Sequence, residues 1–180
     1  MAANENEAGI APDEVEGYRD YRRRVAGTNI DERSLLATDY LNHLNEIVML
    51  VDLIPDAPEF LDDARAWAPK SYAEHFNDSG FSAKELAIAA YEHAPRKFRL
   101  PFDNAVDRAN ALVATGLERI AEAVAADDTE RLRHVCAEAS RALQGVIDEA
   151  SAIIHGDHDA LAQVEIDALV DIPRGTDGVP

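Results

Sequence analysis

The sequence predicts an all-α protein: an antiparallel four-helix bundle with a broken second helical segment and flexible termini. Three observations carry that prediction. Apolar residues recur at helical spacing along three long stretches. Helix-starting and helix-stopping residues sit at the ends of those stretches. No stretch shows the apolar–polar alternation of a half-buried strand over a useful length.

The elements follow in order. Residues 1–12 are polar. Asp13 can cap a short helix bearing Val15, Tyr18, Tyr21 and Val25 that ends at Gly27, and its "YRRR" run reads as a solvated face. From Ser34 to Ile54, the residues Leu36, Tyr40, Leu44, Ile47, Val51 and Ile54 form one stripe. Pro55 stops it, because proline has no N–H and clashes with the preceding turn. The stretch 56–98 reads as broken helix. It holds a short amphipathic piece (Phe60, Leu61, Ala64, Trp67), then two capping-box pairs, Ser71 with Glu74 and Ser82 with Glu85, separated by the turn "NDSG". "PRKFRLP" (95–101) reads as a rigid connector whose cations face water, with docking of an acidic partner or of the chain's own acidic tail as the alternative. A third long helix follows "LPFD", with Phe102, Val106, Ala109, Val113, Leu117, Ile120 and Val124 as its stripe. Asp127 or Asp128 can cap a fourth, which carries Leu132, Val135, Cys136, Ala139, Leu143, Val146, Ala150 and Ile153 and ends at Gly156. This divides the chain into an acidic N-terminal tail with a short helix (1–33), a helical bundle (34–156) and an acidic C-terminal tail with a short docking helix (157–180).

Composition narrows the partners. The 180 residues are 47% hydrophobic, enough for a core, and carry a net charge of -18. Phosphates would be repelled, so neither nucleic acid nor an anionic membrane is expected as a partner. The start of the chain has no basic and apolar leader pattern and no run approaches the length of a spanning helix, so the expected location is cytoplasmic. Cys136 is the single cysteine, which leaves no intramolecular disulfide. It lies on an apolar stripe and reads as a small buried hydrophobe.

The body offers little chemistry to name, and no cofactor is expected. A di-metal carboxylate bundle needs Glu-x-x-His pairs, and none occurs. Glu74–His75 and Glu92–His93 are adjacent and diverge by about 100° on a helix. Glu130 and His134 lie on a face that reads as exposed, and His155 and His158 straddle Gly156. His43, with Glu46 three residues on, flanks the first stripe. It is the centre of one alternative, a bundle enzyme or carrier with a metal or phosphohistidine. Yet Leu44 follows it where histidine phosphotransfer helices place an acid, so an interfacial histidine is the simpler reading.

Beyond the last helix stands "LAQVEIDALV", residues 161–170. Leu161, Ile166, Leu169 and Val170 can share one helical face. A piece this short is not stably helical alone in water, so it needs a surface to dock on. The stretch resembles the "Leu-Ser-Gln-x-Glu-Ile-Asp-Ala-Leu-Leu" segment of FliM-type flagellar motor switch proteins. More loosely, it is similar to the C-terminal peptide of the chemotaxis phosphatase CheZ. Leu161, Gln163, Glu165, Ile166, Asp167, Ala168 and Leu169 match as they stand, Val170 replaces a leucine, and Ala162 replaces a serine. In both families this peptide folds into a helix on the response regulator CheY. The phosphatase motif Asp-Leu-Thr-Gly-Gln is missing here, so the resemblance implies docking and no phosphatase activity.

The expected function is therefore a non-catalytic adaptor in bacterial two-component or motility signalling. Leu161, Gln163, Ile166, Asp167 and Leu169 would contact a response-regulator receiver domain. The bundle would supply a homodimer interface or a second partner site. A structural bundle whose tail packs on itself is the remaining alternative.

Overall fold

A computed structural model describes residue 7 and residues 9–157, and over these the chain is all-α. Among the described residues there are seven α-helices and no strand, only an isolated antiparallel bridge between Ile30 and Ala37. The helices are α1 (Val15–Val25), α2 (Leu41–Leu53), α3 (Phe60–Ala66), α4 (Tyr72–Asp78), α5 (Lys84–Glu92), α6 (Arg96–Ala125) and α7 (Thr129–Ile154). Among the described residues no helix is long and apolar enough to cross a membrane.

The centre is α7. Leu132, Val135, Cys136, Leu143, Ile147, Ala150, Ile153 and Ile154 are buried along it, and it packs against both α6 and α2. The α6–α7 pair is an antiparallel hairpin pinned by ion pairs at matching steps from the turn: Arg131–Glu122, Arg119–Glu138 and Arg108–Glu149. Gly116 faces Ala139 within this hairpin, where a β-carbon would stand 3.3 Å from the alanine methyl. The start of α2 lies by the end of α7, since Leu41, Asn42 and Asn45 line one recess with Ile147, Asp148 and Ser151. The short α3 packs on α2 and on α6.

Both helices of the hairpin end in the same local geometry. At the end of α6, Asp127 takes φ 51°, its N–H bonds the Val124 carbonyl, and the Asp128 N–H bonds that of Ala123. At the end of α7, Gly156 takes φ 75°, its N–H bonds Ile153, and the Asp157 N–H bonds Ala152. These paired bonds satisfy carbonyls that a helix end leaves free, and they need a left-handed residue. Glycine supplies it at 156. At 127 an aspartate bears the cost. Asp128 then caps α7 by accepting the Arg131 N–H at 2.9 Å.

Three stretches depart from the sequence expectation. Residues 34–40 do not begin the first long helix. Asp31 accepts the N–H groups of Arg33 and Ser34, and the Ser34 hydroxyl accepts that of Leu36. These local bonds compete with helix formation. The result is a loop with Leu35 at φ 62° that buries Leu35, Leu36 and Ala37, then a 3-10 turn at Thr38–Tyr40. "PRKFRLP" is not a connector. Pro95 precedes α6 and the rest forms its first turns, with Phe98 and Phe102 buried on either side of Pro101. Burial of these two rings outweighs the one backbone bond that proline removes. Finally, Ser71 and Glu74 form the expected capping box at α4, whereas Ser82 does not cap α5, which begins after Ala83 without a side-chain cap.

The N-terminal helix belongs to the packed body. Ile10, Tyr18, Val25 and Ile30 are buried in the same core as the later helices. Asp13 does not cap α1. Its carboxylate pairs with Arg96, and Glu14 accepts the Arg96 N–H, so the acids ahead of α1 hold the start of α6.

The two left-handed positions make opposite predictions. Asp127→Gly should stabilise the fold and Gly156→Ala should destabilise it, each by about 1 kcal/mol. Thermal unfolding followed by circular dichroism should show shifts of about 2–4 °C in opposite directions. The Gly156 variant should be the larger, because its added β-carbon would stand 2.9 Å from the Arg33 guanidinium. Cys136 makes a second test. Burial pushes its thiol up to about 11 from an ordinary 9.0. Labelling by a thiol reagent near neutral pH should be slower than in the unfolded chain by about a hundredfold or more.

Candidate functional site

The densest collection of polar and aromatic side chains lies where the start of α2, the end of α3, α4, α5 and the start of α6 converge. Each element delivers one or two groups. The 3-10 turn supplies Tyr40 and α2 supplies His43. Trp67, extended at the C-terminus of α3, supplies the indole. Helix α4 carries Tyr72, His75 and Phe76, α5 carries Tyr91, and α6 carries Phe102 and Asp103.

The rings form a continuous stack. Tyr91 lies on Tyr72 at 4.6 Å between centroids, and Tyr72 on Tyr40 at 5.6 Å. Phe102 meets Tyr40 edge-on at 5.5 Å. On the other side, His43 stacks on Trp67 at 4.6 Å and lies 6.0 Å from His75, which meets Tyr40 edge-on at 5.4 Å. Hydroxyls and the indole tie these rings to the backbone. The Tyr40 hydroxyl donates to the Lys70 carbonyl at 2.7 Å, and the Tyr72 hydroxyl accepts the Ala37 N–H at 2.8 Å. Trp67 Nε1 donates to the His43 carbonyl at 3.2 Å. Tyr91 donates to Asp103 at 2.7 Å.

Burial sets the electrostatics. It pushes the Tyr40 hydroxyl up to about 12 and raises the Tyr72 and Tyr91 hydroxyls further. Asp103 is also raised by burial, against the opposing hydrogen bond from Tyr91. His43 is held below the ordinary histidine value, chiefly by burial, then by the neighbouring His75 and Lys70. His75 is lowered for the same first reason, while the Asp39 backbone favours its proton. Both imidazoles are therefore neutral at neutral pH.

His43 and Glu46 do come together, but loosely: Nδ1 stands 3.9 Å from a Glu46 oxygen, and the Glu46 side chain is 65% exposed. The His43 side chain is only 5% exposed, and its Nε2 is buried with no hydrogen-bond partner of good geometry. The ring also lines a recess with His75, Lys70 and Asp78. Lys70, whose Nζ is held by Asp78 at 2.8 Å, adds positive charge beside the two rings and disfavours a cation there. Among the described residues no group of three His, Cys, Asp or Glu side chains could hold a metal ion.

The other described histidines lie elsewhere. His93 stacks on Tyr21 at 4.3 Å against Gly17, where any β-carbon would meet its ring at 2.6 Å. His134 faces Glu138 on the exposed side of α7, and His155 faces Asp31 at 3.6 Å. Leu161, Gln163, Ile166, Asp167 and Leu169 lie outside the described residues.

Sequence reasoning missed Trp67 and the tyrosine stack. One signal was present. The echo between "SYAEHF" and "AYEHA" places Tyr72 and Tyr91 face to face, one helix apart. In comparisons with known proteins, no family model, no curated protein and no solved structure matches this chain.

The hydroxyl of Tyr72 makes the sharpest structural test. Tyr72→Phe would leave the buried Ala37 N–H without its acceptor, at a cost of about 1–3 kcal/mol. Tyr91→Phe should cost less, because half-buried Asp103 can regain water. Urea denaturation of the two variants should rank them in that order.

Proposed function

We propose that this protein is a non-catalytic adaptor in bacterial two-component or motility signalling, whose segment 161–170 docks as a helix on a response-regulator receiver domain. The observation that carries the reading is the sequence of that segment. Seven of its ten positions, Leu161, Gln163, Glu165, Ile166, Asp167, Ala168 and Leu169, match the docking peptide of the flagellar switch proteins.

Two features of the chain support it. Helix α7 is closed at Gly156, and Arg33 donates to the His155 and Gly156 carbonyls, so the described body ends in a well-anchored terminus shortly before the segment in sequence. The net charge of -18 suits a partner with a basic face and would speed the encounter. In this reading Leu161, Ile166 and Leu169 fill apolar sites on the receiver, and Gln163 and Asp167 make polar contacts. The body acts as a four-helix bundle in which the short α3 serves as the fourth member beside α2, α7 and α6. It works in the cytoplasm and offers its outer face to a second copy or another partner.

The test is a binding titration of the full chain against receiver domains, each with and without a phosphoryl mimic. Phosphorylation-dependent binding is expected, weakened about tenfold or more by Ile166→Asp or Leu169→Asp. A truncation after Asp157, which keeps the closing bonds of α7, should abolish it. Binding unaffected by these changes, or no binding to any receiver, overturns the proposal.

A further inference from the structure

The paired histidines beneath Trp67 have no part in a docking tail, and their environment is unusual. His43 is pressed flat against the indole, its buried Nε2 has no hydrogen-bond partner of good geometry, and the Ala68 backbone favours its proton. His75 faces it from a different helix at 6.0 Å. Around them the charges are mixed. Glu46 on α2 approaches His43 Nδ1, Asp39 in the 3-10 turn and Asp78 on α4 act on His75, and Lys70 in the α3–α4 link opposes protonation of both. From α3 the contact is the neutral indole. Helix α6 directs Asp103 and Asp107 at Tyr40, and α7 lies on the other side of α2, where Asp148 shares a recess with Asn42.

We propose that His43 and His75 form an acid-sensitive latch: as neutral rings they let α2, the end of α3 and α4 close on one another, and as two cations they drive α4 away. The geometry supplies the reason. Protonated, the rings would place two charges 6.0 Å apart beside Lys70, with the only acid near His43 exposed to water. A recess of about 220 Å³ lined by His43, His75, Lys70 and Asp78 already opens at this seam, so water has a way in as α4 lifts.

The direction of the pH effect follows from the depressed values of both rings. In the folded state each binds its proton more weakly than in the open state. The closed form therefore has its full stability above the ordinary histidine value of 6.5 and loses it as pH falls through the lower folded-state values. Within that window the open population should rise about tenfold per pH unit for each histidine.

Trp67 is the only tryptophan in the chain, so its emission reports the latch directly. The experiment uses the full-length protein, titrated from about pH 8 to pH 4.5 across the histidine range. Expected is a change in Trp67 emission with a midpoint below 6.5 while far-ultraviolet dichroism stays constant. His75→Gln and His43→Gln should each suppress the change, because either one removes one of the two repelling cations. Nuclear magnetic resonance of the wild-type imidazole protons needs no variant. His43 and His75 should titrate below the ordinary histidine value of 6.5, and α4 amides should exchange faster across the same range. Emission that does not change, a change kept in full by His75→Gln, a pair that titrates at or above 6.5, or α4 protection that holds through both midpoints would each overturn the latch.

Discussion

Helix α7 must be covered on two sides, and the rest of the fold answers that requirement. Its buried residues, from Leu132 to Ile154, face both α6 and α2. A helix with so wide an apolar surface cannot be satisfied by one neighbour. The short link Ala126–Asp128 brings α6 back along one side. The other side has to be closed by a helix that is distant in sequence. That distance is why the loop 31–37 is built with such care. It carries the chain from the end of α7, where Arg33 is bonded to the His155 carbonyl, to the start of α2. It also buries Leu35, Leu36 and Ala37 on the way.

Much of this was legible because it is local. The stripes of α6 and α7, the stop at Pro55, the Ser71–Glu74 box, the Asp128 cap and the Gly156 terminus each depend on residues within a few positions of one another. The errors came where local signals competed. The Leu36–Tyr40 spacing fits a helix, yet the Asp31 and Ser34 side chains take the backbone N–H groups first. "PRKFRLP" looks like a connector by its prolines. One proline stands ahead of the helix, and two buried phenylalanines hold the other inside it. Ser82 has the right partner at the right spacing and still does not cap, because α5 starts one residue later.

The site was legible only in fragments. His43 could be placed beside an apolar stripe, with Glu46 one turn on. Its real neighbours are Trp67, 24 positions away, and His75, 32 positions away, and no periodicity reports such pairings. The same holds for Tyr72, whose hydroxyl serves a backbone N–H 35 positions back in the chain. These contacts arise because α3, α4 and α5 are too short to bury themselves and gather over the start of α2. Aromatic residues suit such a junction. Each ring covers a large area with few rotatable bonds, and a hydroxyl or indole N–H can reach a backbone group left free between short helices.

One stretch links the histidine pair to the root of the C-terminal segment. Arg33 grips the end of α7, Leu41 and Asn42 lie against Ile147 and Ser151, and the Asp39 backbone meets His75. Tyr40 sits between, in contact with both histidines, Tyr72 and Phe102. The residues from Arg33 to His43 thus touch α7 at one end and the buried imidazoles at the other. Coupling between two sites needs an element with two arrangements that both sites bias. Here the Ile30–Ala37 bridge and the Tyr72–Ala37 bond hold that stretch in place. The second bond is made by α4 itself, so lifting α4 removes the acceptor that fixes Ala37. The bond that ties α4 to Ala37 and the bonds that tie Arg33 to the end of α7 therefore lie on one short stretch of backbone.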